Sequence, residues 1–276
     1  MPPHLKNERD ELVLRCHLGS KSYDKIISSV AAGENNSHAI GALGLHAAYL
    51  VADDANDEGK KRDVLDSLKI LLTECGPGDT SVRLTACHVY LAADLLREAL
   101  ACVHLGLTME HLAMCAQIYI RIDRYDLAHE TLGLLRQADE DSVLAQLTSV
   151  YVALAHGGSG KADDAVHTLL GLTEQYGPSL LLLNCTAVAN IVGNKYDVAE
   201  LALKEAIGNH EGGTDVDTLV NSIVCAQYLD KGGGNGGEVG EYIKTLKSIS
   251  ATHPYVRGLV QVEGAFDREA NKYLTA

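Results

Sequence analysis

Few residues in this 276-residue chain are typed and spaced to do chemistry together. Gly157-Gly158-Ser159-Gly160-Lys161 offers glycines and a lysine as a phosphate-binding loop does. The first glycine of such a loop would fall at Ala155, and Lys161 is followed by Ala162 instead of Ser or Thr. The segment also joins two predicted helices, whereas that loop follows a strand, so nucleotide binding is not expected. Seven cysteines (16, 75, 87, 102, 115, 185 and 225) make an odd count with no CxxC pair. Most stand among apolar residues at helical spacing and read as reduced, buried thiols that behave as small hydrophobes. His104 and His111 can meet across two helical turns, but no third ligand stands beside them, and no metal site is expected. No Ser/His/Asp order, paired carboxylates on one face or HExxH helix emerges. Asp53-Asp54 and Asp163-Asp164 read as solvated helix-end charges. Catalytic residues, cofactor-binding residues and cofactors are accordingly expected to be none, and the chain is expected not to be an enzyme.

What remains is a scaffold, and the composition says of which kind. There is no Trp, one Phe (Phe266) and twelve Tyr, while Leu and Ala dominate. Sheets lean on β-branched and aromatic residues, so this balance favours helix. The net charge of −14 repels phosphate backbones and anionic leaflets, which argues against nucleic-acid binding or direct docking on lipid. The N-terminal Met1-Pro2-Pro3-His4-Leu5-Lys6 run lacks the apolar stretch of a signal peptide. The longest apolar stretch, Leu180 to Val192, is interrupted by Asn184 and Asn190 and is too short to span a bilayer. Any membrane association must then pass through partners, and a cytoplasmic protein is expected.

Self-similarity is the main signal. Tyr23-Asp24-Lys25-Ile26, Tyr125-Asp126-Leu127-Ala128 and Tyr196-Asp197-Val198-Ala199 share one pattern, and Ala162-Asp163-Asp164-Ala165 is a weaker copy. Tyr23 and Tyr125 lie 102 residues apart, three periods of 34, and Ala165 and Ala199 lie 34 apart. A period near 34 is that of the tetratricopeptide repeat, a helix–turn–helix unit. In such a unit a small residue early in helix B lets it approach helix A, with a second small residue twelve positions earlier. Ala128, Ala165 and Ala199 have Ala116, Ala153 and Ala187 at that distance, and Leu132, Leu169 and Leu203 follow four residues on. The Asp of each Tyr-Asp pair stands where it could cap helix B.

Breakers fall where units should end: Gly76-Pro77-Gly78, Gly177-Pro178 and His253-Pro254. The predicted helices are 7–19, 22–32, 38–52, 61–73, 80–93, 94–106, 109–122, 125–137, 142–156, 161–175, 179–193, 196–208, 215–230, 238–251 and 255–273. The glycine run from Gly232 to Gly237 reads as a flexible linker between two of them. The expected fold is all-α: one domain over 1–276, a tetratricopeptide-like solenoid of helical hairpins wound as a right-handed superhelix. Repeats occupy about 7–254. A capping helix over 255–276 carries Val256, Leu259, Val260, Phe266 and Tyr273.

Longer stretches carry a family resemblance. The segment from Thr108 to Ala128, then Asp139 to Leu147, Ala155-His156-Gly157-Gly158, Ser179 to Asn184 and Ala199 to Ala206 resemble coatomer epsilon subunits, in the same order. Asp217 to Asn221 and Ser250 to Pro254 continue the likeness, which is weaker over 7–98. The chain departs from the family in lacking a helix–turn–helix's worth of sequence near residue 95. Cys87, Ala99 and Val103 nevertheless keep the template's spacing across that join. The resemblance implies a structural subunit of the COPI coat, cytoplasmic and peripheral on Golgi membrane and coated vesicles. It also implies a role in Golgi-to-ER and intra-Golgi transport, with the carboxy-terminal region of the alpha subunit as partner. A generic tetratricopeptide-repeat adaptor or co-chaperone is the alternative.

Positions 2, 5, 9 and 12 of each helix A line the concave face of such repeats. Registering them at 80, 109, 146 and 180 gives ten apolar residues: Leu84, Leu91, Ala113, Ile120, Leu147, Val150, Leu154, Leu181, Val188 and Ile191. A groove for charged peptide tails would carry Lys, Arg and Asn there. This one is expected to offer a partner an apolar strip.

Overall fold

The computed structural model describes residues 3–33, 37–209, 212–230, 237–251 and 253–274. Fifteen α-helices and a short 3₁₀ turn are found there, with no strand among the described residues. In chain order they are α1 (Pro3–Gly19), α2 (Tyr23–Ala32), α3 (His38–Asp54), α4 (Glu58–Glu74), α5 (Thr80–Ala92), α6 (Leu96–Val103), α7 (Met109–Arg121) and α8 (Tyr125–Ala138). There follow α9 (Val143–His156), α10 (Ser159–Tyr176), α11 (Leu180–Val192), α12 (Tyr196–Asn209), α13 (Val216–Tyr228), α14 (Glu238–Ile249) and α15 (Pro254–Leu274). The fifteen predicted helices correspond to these one for one. Gly232 to Gly236 of the expected linker lie outside the described residues. The chain divides into two compact units, 1–148 and 149–276.

Two local devices repeat. Five helices of the A type begin behind a capping side chain, whose oxygen accepts one of the otherwise unpaired first N–H groups. Ser37, Thr108, Ser142, Ser179 and Asp215 accept from the backbone N–H of Ile40, His111, Ala145, Leu182 and Thr218. Within each hairpin, helix A ends on a residue in the left-handed region: Lys21, Asn56, Asp94, Asp123, Asn194 and Asp230, with φ between 51° and 59°. At α7–α8 the Arg124 N–H donates to Tyr119 O at 2.9 Å and the Asp123 N–H to Ile120 O at 3.1 Å. That is the Schellman pattern, with Asp or Asn in place of the usual glycine. In the α9–α10 hairpin Gly157 (φ 75°) and Gly158 (φ 97°) serve the turn, so the glycines of the phosphate-loop look-alike have a backbone role.

The Asp of the Tyr-Asp pair serves the start of helix B. Asp126 meets the first backbone N–H groups of α8, which help lower its carboxyl. It sits in the first turn and takes two hydrogen bonds from Arg124, 2.8 and 2.7 Å. The guanidinium holds its carboxyl at about 2, and the charge favours the helix N-terminus.

The small–small–large template is the core. Ala116, Ala128 and Leu132, then Ala187, Ala199 and Leu203, are buried, as are Ala165 and Leu169 facing half-buried Ala153. The join near 95 packs in the same way. Cys87, Ala99 and Val103 are fully buried with Tyr90, Cys102, Cys115 and Ile118 in one cluster. In the second unit the α11–α13 contact is polar. Asn184 Nδ2 donates to Thr218 Oγ1 (2.8 Å), and Asn221 Nδ2 donates to Asn184 Oδ1 (3.1 Å). Thr218 Oγ1 donates to Asp215 Oδ2 (2.8 Å), so the buried amide has partners at both ends. Six of the seven cysteines are buried and all are free thiols, Cys16 being exposed.

Candidate partner-binding surface

The ten apolar register positions lie on α5, α7, α9 and α11. Position 5 of each helix is buried: Leu84 at 6%, Ala113 at 2% and Val150 at 1% exposure, with polar Asn184 at 8%. Ala113 packs with Leu135 and Ala145, and Asn184 is spent on α13. These residues hold helices of the chain together. Leu91, Ile120, Leu147, Leu154, Val188 and Ile191 are half-buried, and Leu181 is 51% exposed. Leu91 and Ile191 are themselves packed against core clusters. The surface left to a partner therefore narrows to Leu181, Leu154 and Val188 in the second unit, and Ile120 and Leu147 in the first.

In the first unit the face is also crossed by the chain's own α1. Ser81 Oγ donates to Glu11 Oε1 at 2.6 Å, and Arg15 Nη1 pairs with Glu110 Oε1 at 3.2 Å. Arg15 Nε also lies 3.4 Å from Glu11 Oε1, which links the two contacts. Ser81 and Glu110 are position 2 of α5 and α7, so α1 occupies the place a partner would take there. His88, position 9 of α5, stacks on His46 with ring centroids 5.9 Å apart. Burial, then the His88 charge, lowers the His46 imidazole to about 4. Its Nδ1 has no hydrogen-bond partner.

The second unit also carries α15, the helix expected as a cap. Tyr255 and Val256 of α15 pack with Leu219, Ile223 and Leu246. Beyond them Val260, Val262, Phe266 and Tyr273 are exposed, Phe266 to 72%. The helix packs on the last hairpin through its N-terminal part, where Val256 is buried and Leu259 half-buried. Among the described residues no helix is long and apolar enough to cross a membrane.

Comparison with known proteins follows the fold. A family model described as "Coatomer epsilon subunit" matches residues 1–274. "Coatomer subunit epsilon-1" of Oryza sativa subsp. japonica is 32% identical over 262 residues, 95% of this chain and 85% of the relative. "Coatomer subunit epsilon-1" of Arabidopsis thaliana is 30% identical over 267 residues, 96% and 86%. The Dictyostelium discoideum epsilon subunit is 27% identical over 272 residues, 98% and 88%. A tetratricopeptide repeat protein from Parabacteroides merdae superposes with a TM-score of 0.62 at 14% identity, covering 92% of this chain and 97% of that one. This last likeness is one of fold.

Proposed function

The chain belongs to the coatomer epsilon subunit family, and from that premise we propose that it is a non-catalytic structural subunit of the coatomer coat. It binds and stabilises the carboxy-terminal region of the alpha subunit within the multi-subunit complex. It acts in the cytoplasm, peripheral on Golgi membrane and coated vesicles through that complex, in Golgi-to-ER and intra-Golgi transport.

The family match along nearly the whole chain carries this reading. The surface chemistry supports it: Leu181, Leu154 and Val188 leave apolar area uncovered, with no Lys or Arg among the register positions. Each such side chain contributes up to ~1.5–3 kcal/mol when a partner buries it. A groove for acidic tails would need Lys or Arg in those places, which disfavours the co-chaperone alternative. Affinity purification of the tagged full chain with mass spectrometry tests the proposal. Alpha and beta-prime coat subunits are expected to co-purify in near-equal amounts. Recovery of chaperones without coat subunits would refute it.

A further inference from the structure

Outside the partner surface, three donor groups of different chemistry meet at one point of the first unit. His38 opens α3, Cys75 follows the last residue of α4, and Asp79 precedes the first residue of α5. One ligand atom from each, an imidazole nitrogen, the thiol sulfur and a carboxylate oxygen, lies within 4.8 Å of the other two. We propose that His38, Cys75 and Asp79 form a binding site for a borderline divalent cation of the Zn²⁺ class.

The donor set suits that ion. Zn²⁺ takes thiolate, imidazole and carboxylate at about 2.0–2.3 Å in a tetrahedron, whose edges are then about 3.3–3.8 Å. His38 is exposed, so its ring can swing the remaining distance. A water takes the fourth corner. Thiolate and carboxylate neutralise the ion, and the Cys75 proton leaves to solvent as the metal binds.

The turn between α4 and α5 prepares the site. Gly76-Pro77-Gly78 folds the chain back so that Asp79 N–H donates to Gly76 O at 3.2 Å. Gly76 N–H in turn donates to Asp79 Oδ2 at 2.9 Å, which fixes the carboxylate as an outer-shell partner does. Asp79 makes no cap bond to its own helix, so its orientation serves the turn. Cys75 is buried beside Ala42 and Val82. The bound ion would staple three helix ends that meet at this turn.

The test uses the full chain with Cys16→Ser, which removes the exposed thiol. Zn²⁺ titration by calorimetry should give one site. His38→Ala, a surface change, should weaken it at least the ~10-fold that losing even an outer-shell partner costs. Co²⁺ should give a thiolate charge-transfer band that Cys75→Ser abolishes. Equal Zn²⁺ affinity in the His38→Ala chain, or a Co²⁺ spectrum with no thiolate band, would overturn the site.

Discussion

The helix-A faces of the two units have the same register and different occupants. In the first unit, position 2 of α5 and of α7 is taken by α1 through Glu11 and Arg15. In the second unit, position 2 of α11 is Leu181, half of it in solvent. Position 5 is buried in both. The lesson is that a repeat template names equivalent positions, while the neighbours present decide which of them remain for a partner.

Five substitutions sharpen or break this contrast. Val150→Asp should be the most damaging, because it buries an unpaired charge at position 5. About 4 kcal/mol of stability should be lost, seen as a large drop in the urea midpoint. Leu181→Asp should stay within about 0.5 kcal/mol of the parent by the same measurement. If the two behave alike, position 5 and position 2 are not distinct.

The first unit should also carry a pH dependence through His46. Folded, His46 titrates at about 4 against an ordinary 6.5. Between these values the unfolded chain takes up a proton that the folded chain rejects, so stability falls as pH drops through that window. The full difference is roughly 3 kcal/mol, stability that is present above pH 6.5 and lost by the time pH has fallen below about 4. Denaturation at pH 4.5 and 7 should differ less in His46→Asn than in the parent. Equal differences would show that His46 is not the group responsible.

Asn184→Ala should cost about 2 kcal/mol, since Thr218 and Asn221 lose a buried partner. Arg15→Ala, which cuts a partly exposed pair, should cost under about 1 kcal/mol. Chemical denaturation of both variants checks the order. The reverse order would mean that α1, not the α11–α13 amides, is the stronger polar tie.

The helices and their hairpin pairing were legible because the information is local. Apolar spacing, Gly-Pro breakers and capping residues lie within a few positions of the effects they cause. The Ala128–Ala116–Leu132 template extended this to packing, since two small side chains must meet wherever helices approach closely. The place of Asp126 at the start of α8 was legible, whereas the two charge-assisted bonds it takes from Arg124 were not. The left-handed Asp123 and Asn194 were missed, although Asp and Asn tolerate that conformation better than other side-chain-bearing residues.

The surface was far less legible. Nothing in the sequence ties Glu11 to Ser81, 70 residues on, or Arg15 to Glu110, 95 residues on. The α1 occlusion thus had no local sign. His38 and Cys75 were invisible as a pair for the same reason. The C-terminal helix has the apolar periodicity of a cap, and periodicity alone does not say which positions find neighbours: Val256 is buried and Phe266 exposed.

The central claim is that the open helix-A face of the second unit holds the coat partner. The most direct measurement is binding of the purified alpha-subunit carboxy-terminal region to the parent chain, to Leu181→Asp/Val188→Asp and to Arg15→Ala. The account predicts native helicity in all three, at least ~30-fold weaker binding for the double variant, matching a hot-spot loss of about 2 kcal/mol, and near-parental binding for Arg15→Ala. Undiminished binding by the folded double variant would contradict it.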